Sequence, residues 1–312
     1  MYFPYLRGKQ FELLALRELV SLLERKRDKI SPIIEPVKNT SGLITAFSEL
    51  RKSSINFNVI INPSVGDMVT KSEEILNKIS HLLTGYENFQ LAILVESGTD
   101  YERLFEFIQN SGISNAQLTF VHNEMNDDIK TVQEHFCSFG PIINNVINFR
   151  KTGPRYYREF DNSTRVSLYD YFGSLPKNAD YLKQEDSSFS DEYKFYRDEG
   201  YRGFGDFLTI GDNYTDSGRL PWAVAIHISY LDPSGRIRVK HFVSDSNNDS
   251  KDVAGKFAEA NGKLVVWCNA NGVSTLAIDK FRQLHEIGHF PGLGTVKKLS
   301  IMNHIELVLG LI

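Results

Sequence analysis

Two histidines bracket a glutamate in His285-Glu286-Ile287-Gly288-His289, an HExxH motif in a stretch with helical periodicity. At that spacing on one helical face, two imidazoles can hold zinc, with the intervening glutamate as general base. Gly292 falls where the longer HExxHxxGxxH form has its glycine, but Thr295 stands at the third-ligand position. His304 or Glu306 from the next helix would then have to complete the site. The plainer reading is an amphipathic helix with Leu276, Phe281, Leu284 and Ile287 on its apolar face, ending at Gly288 with Pro291 as breaker.

A second set of residues is scattered along the chain, each member closing a short apolar run. Carboxylates at the ends of separate strands can bind a divalent cation or share proton transfer, and a neighbouring Arg or Lys can hold a phosphate. The catalytic candidates of this kind are Glu35, Glu96, His122 and Asp206, with Arg7, Lys9 and Asn62 to bind an anionic ligand and a divalent metal as the cofactor; Asp67 and His227 join if the strands close. Against this stands the reading that polar residues end strands because the chain is leaving the core, with Glu35 and Glu96 paired to Arg7, Lys9 or Lys38. His227 and His241 fall in facing runs and are expected to be cross-strand neighbours, as ligand-binding groups or as structural ones. Tyr156-Tyr157 among Arg150, Lys151, Arg155 and Arg158 can stack on bases or simply pack against the body of the fold. Neither GxSxG nor a Ser-His-Asp or Cys-His set can be assembled from sequence neighbours.

These residues need elements to carry them. Short apolar runs at 2–6, 31–37, 57–62, 89–96, 116–123 and 144–149 alternate with amphipathic stretches, which is the βαβ signature. The runs are continuously apolar, as in parallel strands buried on both faces. A doubly wound nucleotide fold wants a glycine-rich turn after its first strand, and here that turn reads Leu6-Arg7-Gly8-Lys9-Gln10. A (β/α)8 TIM-like barrel instead brings the polar strand ends to one rim, where barrel enzymes keep their chemistry. The chain is read as one domain, 1–312: regular repeats over 1–150, then an irregular half, 151–312. That half carries a strand at 165–169, a hairpin within 222–245 turned by Asp232-Pro233-Ser234-Gly235, and helices at 253–267, 274–289 and 296–311.

Composition narrows the partners. With 312 residues, 35 Lys+Arg against 39 Asp+Glu, a net charge of −4 and 41% hydrophobic residues, the chain reads as globular, without the basic surface of a general nucleic-acid coat. Any cationic function must be local, around Arg7 and Lys9 or residues 150–158. Cys137 and Cys268 are the two cysteines and lack close metal partners, so neither a disulfide framework nor a zinc knuckle is expected. Without a secretory pattern at the start or an apolar run long enough to span a bilayer, the expectation is a cytoplasmic protein with no membrane partner.

The opening Met1-Tyr2-Phe3-Pro4-Tyr5-Leu6-Arg7-Gly8-Lys9, with Glu12, Ala15 and Leu16 and then Pro32-Ile33-Ile34-Glu35-Pro36-Val37, resembles the phage-type "beta protein" family of bacterial and phage proteins. Similarity to one branch continues through Asn62-Pro63, residues 177–181, Ser190-Asp191, residues 203–207, 226–230 and 241–245, and 301–306, and so covers almost the full length. The resemblance implies a (β/α)8 barrel in a single domain. It also implies a role in a mobile element or in anti-phage defence, beside a small nuclease-like partner protein, with a phage or nucleic-acid ligand; it brings no established catalytic residue. Two functions follow as expectations: a barrel-fold recognition or regulatory component, or a metal-dependent hydrolase of phosphodiester or other anionic substrates at the rim. An HExxH zinc peptidase is a third.

Overall fold

The computed structural model describes residues 1–113, 115–216 and 220–312. The first strands are β1 (Tyr2–Leu6), β2 (Ile33–Ile34), β3 (Phe57–Ile60), β4 (Phe89–Val95), β5 (Gln117–His122), β6 (Ile142–Asn148) and β7 (Arg165–Tyr169); β8 (Asp186–Ser190) lies apart, and β9 (Gly203–Asp206) follows. β1 to β7 and β9 pair in parallel in that order, and β9 closes on β1 through Tyr2↔Phe204, Phe3↔Gly205 and Pro4↔Asp206. This is the expected closed eight-stranded barrel. The crossovers are α1 (Gln10–Glu18) with α2 (Val20–Arg25), α3 (Ser41–Lys52), α4 (Ser72–Leu83), α5 (Tyr101–Asn110) and α6 (Ile129–Phe136). They shorten after β6 to α7 (Phe149–Thr152), and α8 (Glu192–Phe195) precedes β9.

Strand pairing fixes which side chains face the barrel interior, because paired residues of a parallel sheet point the same way and neighbours along a strand alternate. Thr119 on β5 donates to Asn58 on β3 at 2.6 Å, reaching past β4, so both must point inward. Propagating that parity through the registers puts Phe3, Tyr5 and Arg7, Ile33 and Glu35, Leu94 and Glu96, Val121 and Asn123, and Val146 and Asn148 inside. β9 contributes Gly203 and Gly205 to the interior. A Cβ on Gly203 would lie 2.5 Å from the Phe3 ring, and one on Gly205 would lie 2.4 Å from the Phe3 carbonyl oxygen. The two glycines therefore make room for the closing strand against β1.

The chain divides into two compact units, Met1–Tyr169 with Lys194–Asp206, and Asp170–Tyr193 with Phe207–Ile312. The predicted hairpin does not join the barrel wall. Its strands, β10 (Ala225–Leu231) and β11 (Ile237–Val243), pair antiparallel with each other and then with β8, in the order β10-β11-β8. The turn forms where the Asp-Pro-Ser-Gly signal puts it, with Asp232 Oδ1 accepting from the backbone N–H of Ser234 and Arg236 at 2.8 and 2.9 Å. Helix α9 (Val253–Asn271) sets Trp267 against Tyr230 and Phe242, while α11 (Leu293–Leu311) bonds Asn303 and His304 to Ser229. Ser229 and Tyr230 are strand neighbours, so the two helices cover opposite faces of this sheet. Between them in sequence runs α10 (Leu276–Glu286). Among the described residues, no helix is long and apolar enough to cross a membrane.

Candidate functional site

Four of the predicted rim residues lie at the same end of the barrel strands, Arg7 and Glu35 as a pair and Asn62 and Glu96 on one pocket. Glu35 follows β2 and is fully buried. Its Oε2 receives the Tyr5 hydroxyl at 2.7 Å and the Arg7 guanidinium, and its Oε1 receives the Ser64 backbone N–H at 2.9 Å. Arg7 also lies over the Tyr5 ring. Gly8, at φ +63, lets the chain turn out directly after Arg7, where a Cβ would come within 2.9 Å of the Glu35 carbonyl oxygen. Asn62 joins the next two strands as a side-chain substitute for the ladder: its Nδ2 donates to Leu94 O and its Oδ1 accepts from Leu94 N, each at 2.8 Å. Glu96 follows β4, and its Oε1 accepts from Asn123 Nδ2 at 2.7 Å; Asn123 Oδ1 in turn accepts from Asn148 Nδ2 at 3.1 Å.

The rim thus has two characters. On the β1–β2 side an ion pair is locked by a hydroxyl and a backbone donor. On the β4–β6 side an amide ladder leads to Glu96, and its direction is set by the carboxylate, which can only accept. Glu96 and Asn62 also line a cavity of about 230 Å³ whose other walls carry the hydroxyl residues Ser64, Thr70, Ser72, Ser97 and Thr99, with Asp100 and Arg103. A pocket of this make-up suits a small, hydrogen-bonding ligand. A roomier hollow of about 530 Å³ opens around the first residues of β4 and β5, Phe89 and Gln117, at the other end of the barrel. Tyr5, Ser64 and Asn148 were not picked out from the sequence, whereas Asn123 closes the 116–123 run beside His122 as its polar end.

His122 and Asp206 do not belong to this rim. Both have the outward parity. His122 Nε2 meets Asn145 Oδ1 at 3.0 Å and its Nδ1 meets the Tyr156 hydroxyl at 3.2 Å, with Phe120 and Phe160 rings alongside. Burial pushes its pKa down to about 4, so it is neutral and structural at pH 7. Asp206 accepts from the Tyr2 hydroxyl at 2.9 Å, and burial beside that carboxylate drives the Tyr2 pKa well up. Glu35 is fully engaged, so the carboxylate–imidazole set expected to hold a divalent metal does not assemble. Among the described residues no group of three or more His, Cys, Asp or Glu is arranged to hold a metal ion. Lys9 caps α1 through its backbone, its carbonyl accepting from Glu12 and Leu13, and Asp67 is exposed.

The HExxH geometry is not formed either. Helix α10 ends at Glu286, Ile287 is its C-cap, and Gly288 turns the chain at φ +62, so His289 lies beyond the helix and off the face of His285. Both histidines are exposed on the edge of a cavity of about 260 Å³. The proposed third ligands are committed elsewhere: His304 to Ser229 Oγ at 3.0 Å, and Glu306 to the backbone N–H of Leu276 at 2.9 Å. In the basic loop, Tyr156 is buried on His122, while Tyr157 has the guanidinium groups of Arg158 and Arg165 over its ring.

His227 and His241 are cross-strand partners, as expected from the hairpin. Their Nδ1 atoms lie 2.7 Å apart, and His241 Nε2 is 2.9 Å from Ser187 Oγ on β8. Tyr181 and Phe172 rings pack around the pair. Burial lowers both pKa values, to about 3 for His227 and about 4 for His241, so one neutral imidazole donates to the other.

The strand order defines a parallel (β/α)8-type barrel in the first unit and, in the second, an antiparallel sheet with helices. No protein-family model and no curated protein matches the chain. Among solved structures it is similar to N-acetylneuraminate lyase from Mycoplasma synoviae in two crystal forms. The form II structure gives a TM-score of 0.40 and 9% identity, and form I gives 0.37 and 8%; each comparison covers 98% of this chain and 97% of the lyase.

Proposed function

We propose that this chain is the barrel-fold recognition component of a mobile-element or anti-phage defence module, acting beside a nuclease-like partner and reading its ligand at the strand-end rim. Glu35 is the observation that carries this reading over catalysis. A general acid or base must be free to gain and lose a proton toward the substrate. Glu35 instead spends both oxygens on Arg7, Tyr5 and Ser64, all held within the fold. Such an arrangement gives a rigid, preorganised wall. Hydrolysis at the same rim would have to run on Glu96 without His122, Asp206 or an assembled metal set.

The hydroxyl-rich cavity beside Glu96 supports the binding role, since it offers donors and acceptors on a rigid frame. The resemblance of the opening and closing segments to the beta protein family supports the defence setting. The test is co-expression with the nuclease-like product of the adjacent reading frame, followed by size-exclusion chromatography of the tagged chain. Co-elution at micromolar concentration is expected. Separate elution overturns the partner reading.

A further inference from the structure

Outside the barrel, one cluster has the spatial arrangement of an activated nucleophile. Ser187 Oγ lies 2.9 Å from His241 Nε2, and the opposite nitrogen of that ring, Nδ1, lies 2.7 Å from His227 Nδ1. A hydroxyl within hydrogen-bond reach of a base, with the base oriented by a third group, is the signature of a serine activated for covalent catalysis on unrelated folds. We infer that Ser187, His241 and His227 form a nucleophile–base–orienter array that accepts acyl groups from esters.

The elements explain why the three meet. β11 stands between β10 and β8, so His241 has a neighbour on each side. His227 is its directly paired residue on β10. Ser187 on β8 pairs with Val239 on β11, two residues along from His241 on the same face. His241 is only 3% exposed, whereas Ser187 and His227 keep partial exposure. Ser187 thus sits at the partly exposed margin of the cluster, while the base is shielded from water. β8 is also the edge of its sheet, leaving one side of its backbone outside the ladder near the nucleophile.

The proton inventory is consistent. In the reactive tautomer the Ser187 hydroxyl donates to His241 Nε2, and His241 Nδ1–H donates to His227 Nδ1. Both rings are neutral at pH 7, so His241 Nε2 carries no proton and can accept one, as a weaker base than an exposed imidazole. Ser187 Oγ attacks the ester carbonyl carbon and its proton passes to His241 Nε2. That proton goes to the departing alkoxide as the C–O bond breaks, leaving acyl-Ser187. Water then attacks the acyl carbon, His241 takes the water proton and returns it to Ser187 Oγ, and the free acid leaves. Tyr181, with its ring centroid 4.5 Å from that of His241, and Phe172, 5.0 Å from His227, give the surroundings an aromatic lining. Both rings are buried and hold the two imidazoles in place.

The experiment uses the full chain and a fluorophosphonate probe, whose phosphorus takes Ser187 Oγ as fluoride leaves. Adduct mapping by mass spectrometry should place the label on Ser187, and Ser187→Ala should abolish it. His241→Gln should slow labelling about 100-fold, the lower end of what a general base contributes. His227→Asn, which keeps an acceptor at the Nδ1 position, should label faster than His227→Leu. Urea midpoints of all variants establish that each is folded. Absence of label on the folded wild-type chain, label persisting in Ser187→Ala, or an unchanged rate in His241→Gln overturns the inference.

Discussion

Thr119 and Asn58 are bonded across the inside of the barrel, from β5 to β3, with Thr119 Oγ1 also accepting from Asn144 Nδ2 at 2.9 Å. Asn58 Nδ2 in turn donates to Ser31 Oγ at 2.9 Å. This is a polar layer inside a closed sheet, and its strength depends on every member being satisfied. Thr119→Val keeps the shape but strands one buried acceptor and one buried donor. At about 1–3 kcal/mol for each unpaired group, the expected loss is about 2–6 kcal/mol. Urea unfolding with an unchanged m-value checks it.

The Arg7–Glu35 pair makes a different prediction. Arg7→Met removes the cation facing the buried Glu35 carboxylate, and Glu35→Leu removes the anion facing Arg7; each is expected to cost about 3–5 kcal/mol. The double substitution should recover a large part of that loss, since a packed apolar pair replaces a desolvated ionic one. A double-mutant cycle measured by chemical unfolding gives the coupling, and additive single effects would contradict the pairing.

Acid should weaken the fold in a defined window. The His122 pKa is about 4 in the folded chain, below its ordinary value of 6.5, so between those limits the unfolded chain holds more protons. Stability is therefore full above pH 6.5 and falls as pH drops toward 4, by up to about 1.4 kcal/mol per pH unit from this residue. His122→Phe should flatten part of that slope while leaving rim binding intact. Unfolding free energies at pH 4.5, 5.5 and 7 test both statements.

At the HExxH segment, the chain purified from zinc-supplemented medium should carry less than about 0.1 metal per chain, because a site without helical spacing gives no cage for the ion. His285→Ala should not change that content, and chelation should leave the melting temperature unmoved. Elemental mass spectrometry at stoichiometric zinc would contradict the helix end at Glu286.

The barrel strands were legible because a parallel strand covered on both faces must be apolar along its length, and 57–62 or 89–96 cannot hide that. The same property concealed the parity of the strand ends. With both faces buried there is no polar alternation to say which neighbour looks inward, so His122 read as a rim residue although Asn123 occupies that place. Asp206 was misplaced for the same reason, as its inward-facing strand neighbour is Gly205. The end of α10 was half legible: Gly288 carried the stop signal, and the spacing of the two histidines competed with it. Ser187 gave no signal, because Asp186-Ser187-Ser188-Phe189-Ser190 has neither the composition nor the alternation of a buried strand.

The path of the chain has a consequence for how the protein can be assembled. It leaves the barrel unit after Tyr169, returns at Lys194 and leaves again after Asp206. A ribosome making it N-terminus first exposes β8 before β9 can close the barrel, and β8 then waits for β11, which begins at Ile237. The final barrel seam and the edge of the second sheet are therefore both long-range pairings, made late. Cutting at Asp206 would not separate two modules cleanly, since the barrel fragment would carry an unpaired strand belonging to the other unit. Proteolysis within 170–193 would instead part the barrel's last strand from the seven before it while sparing β10 and β11.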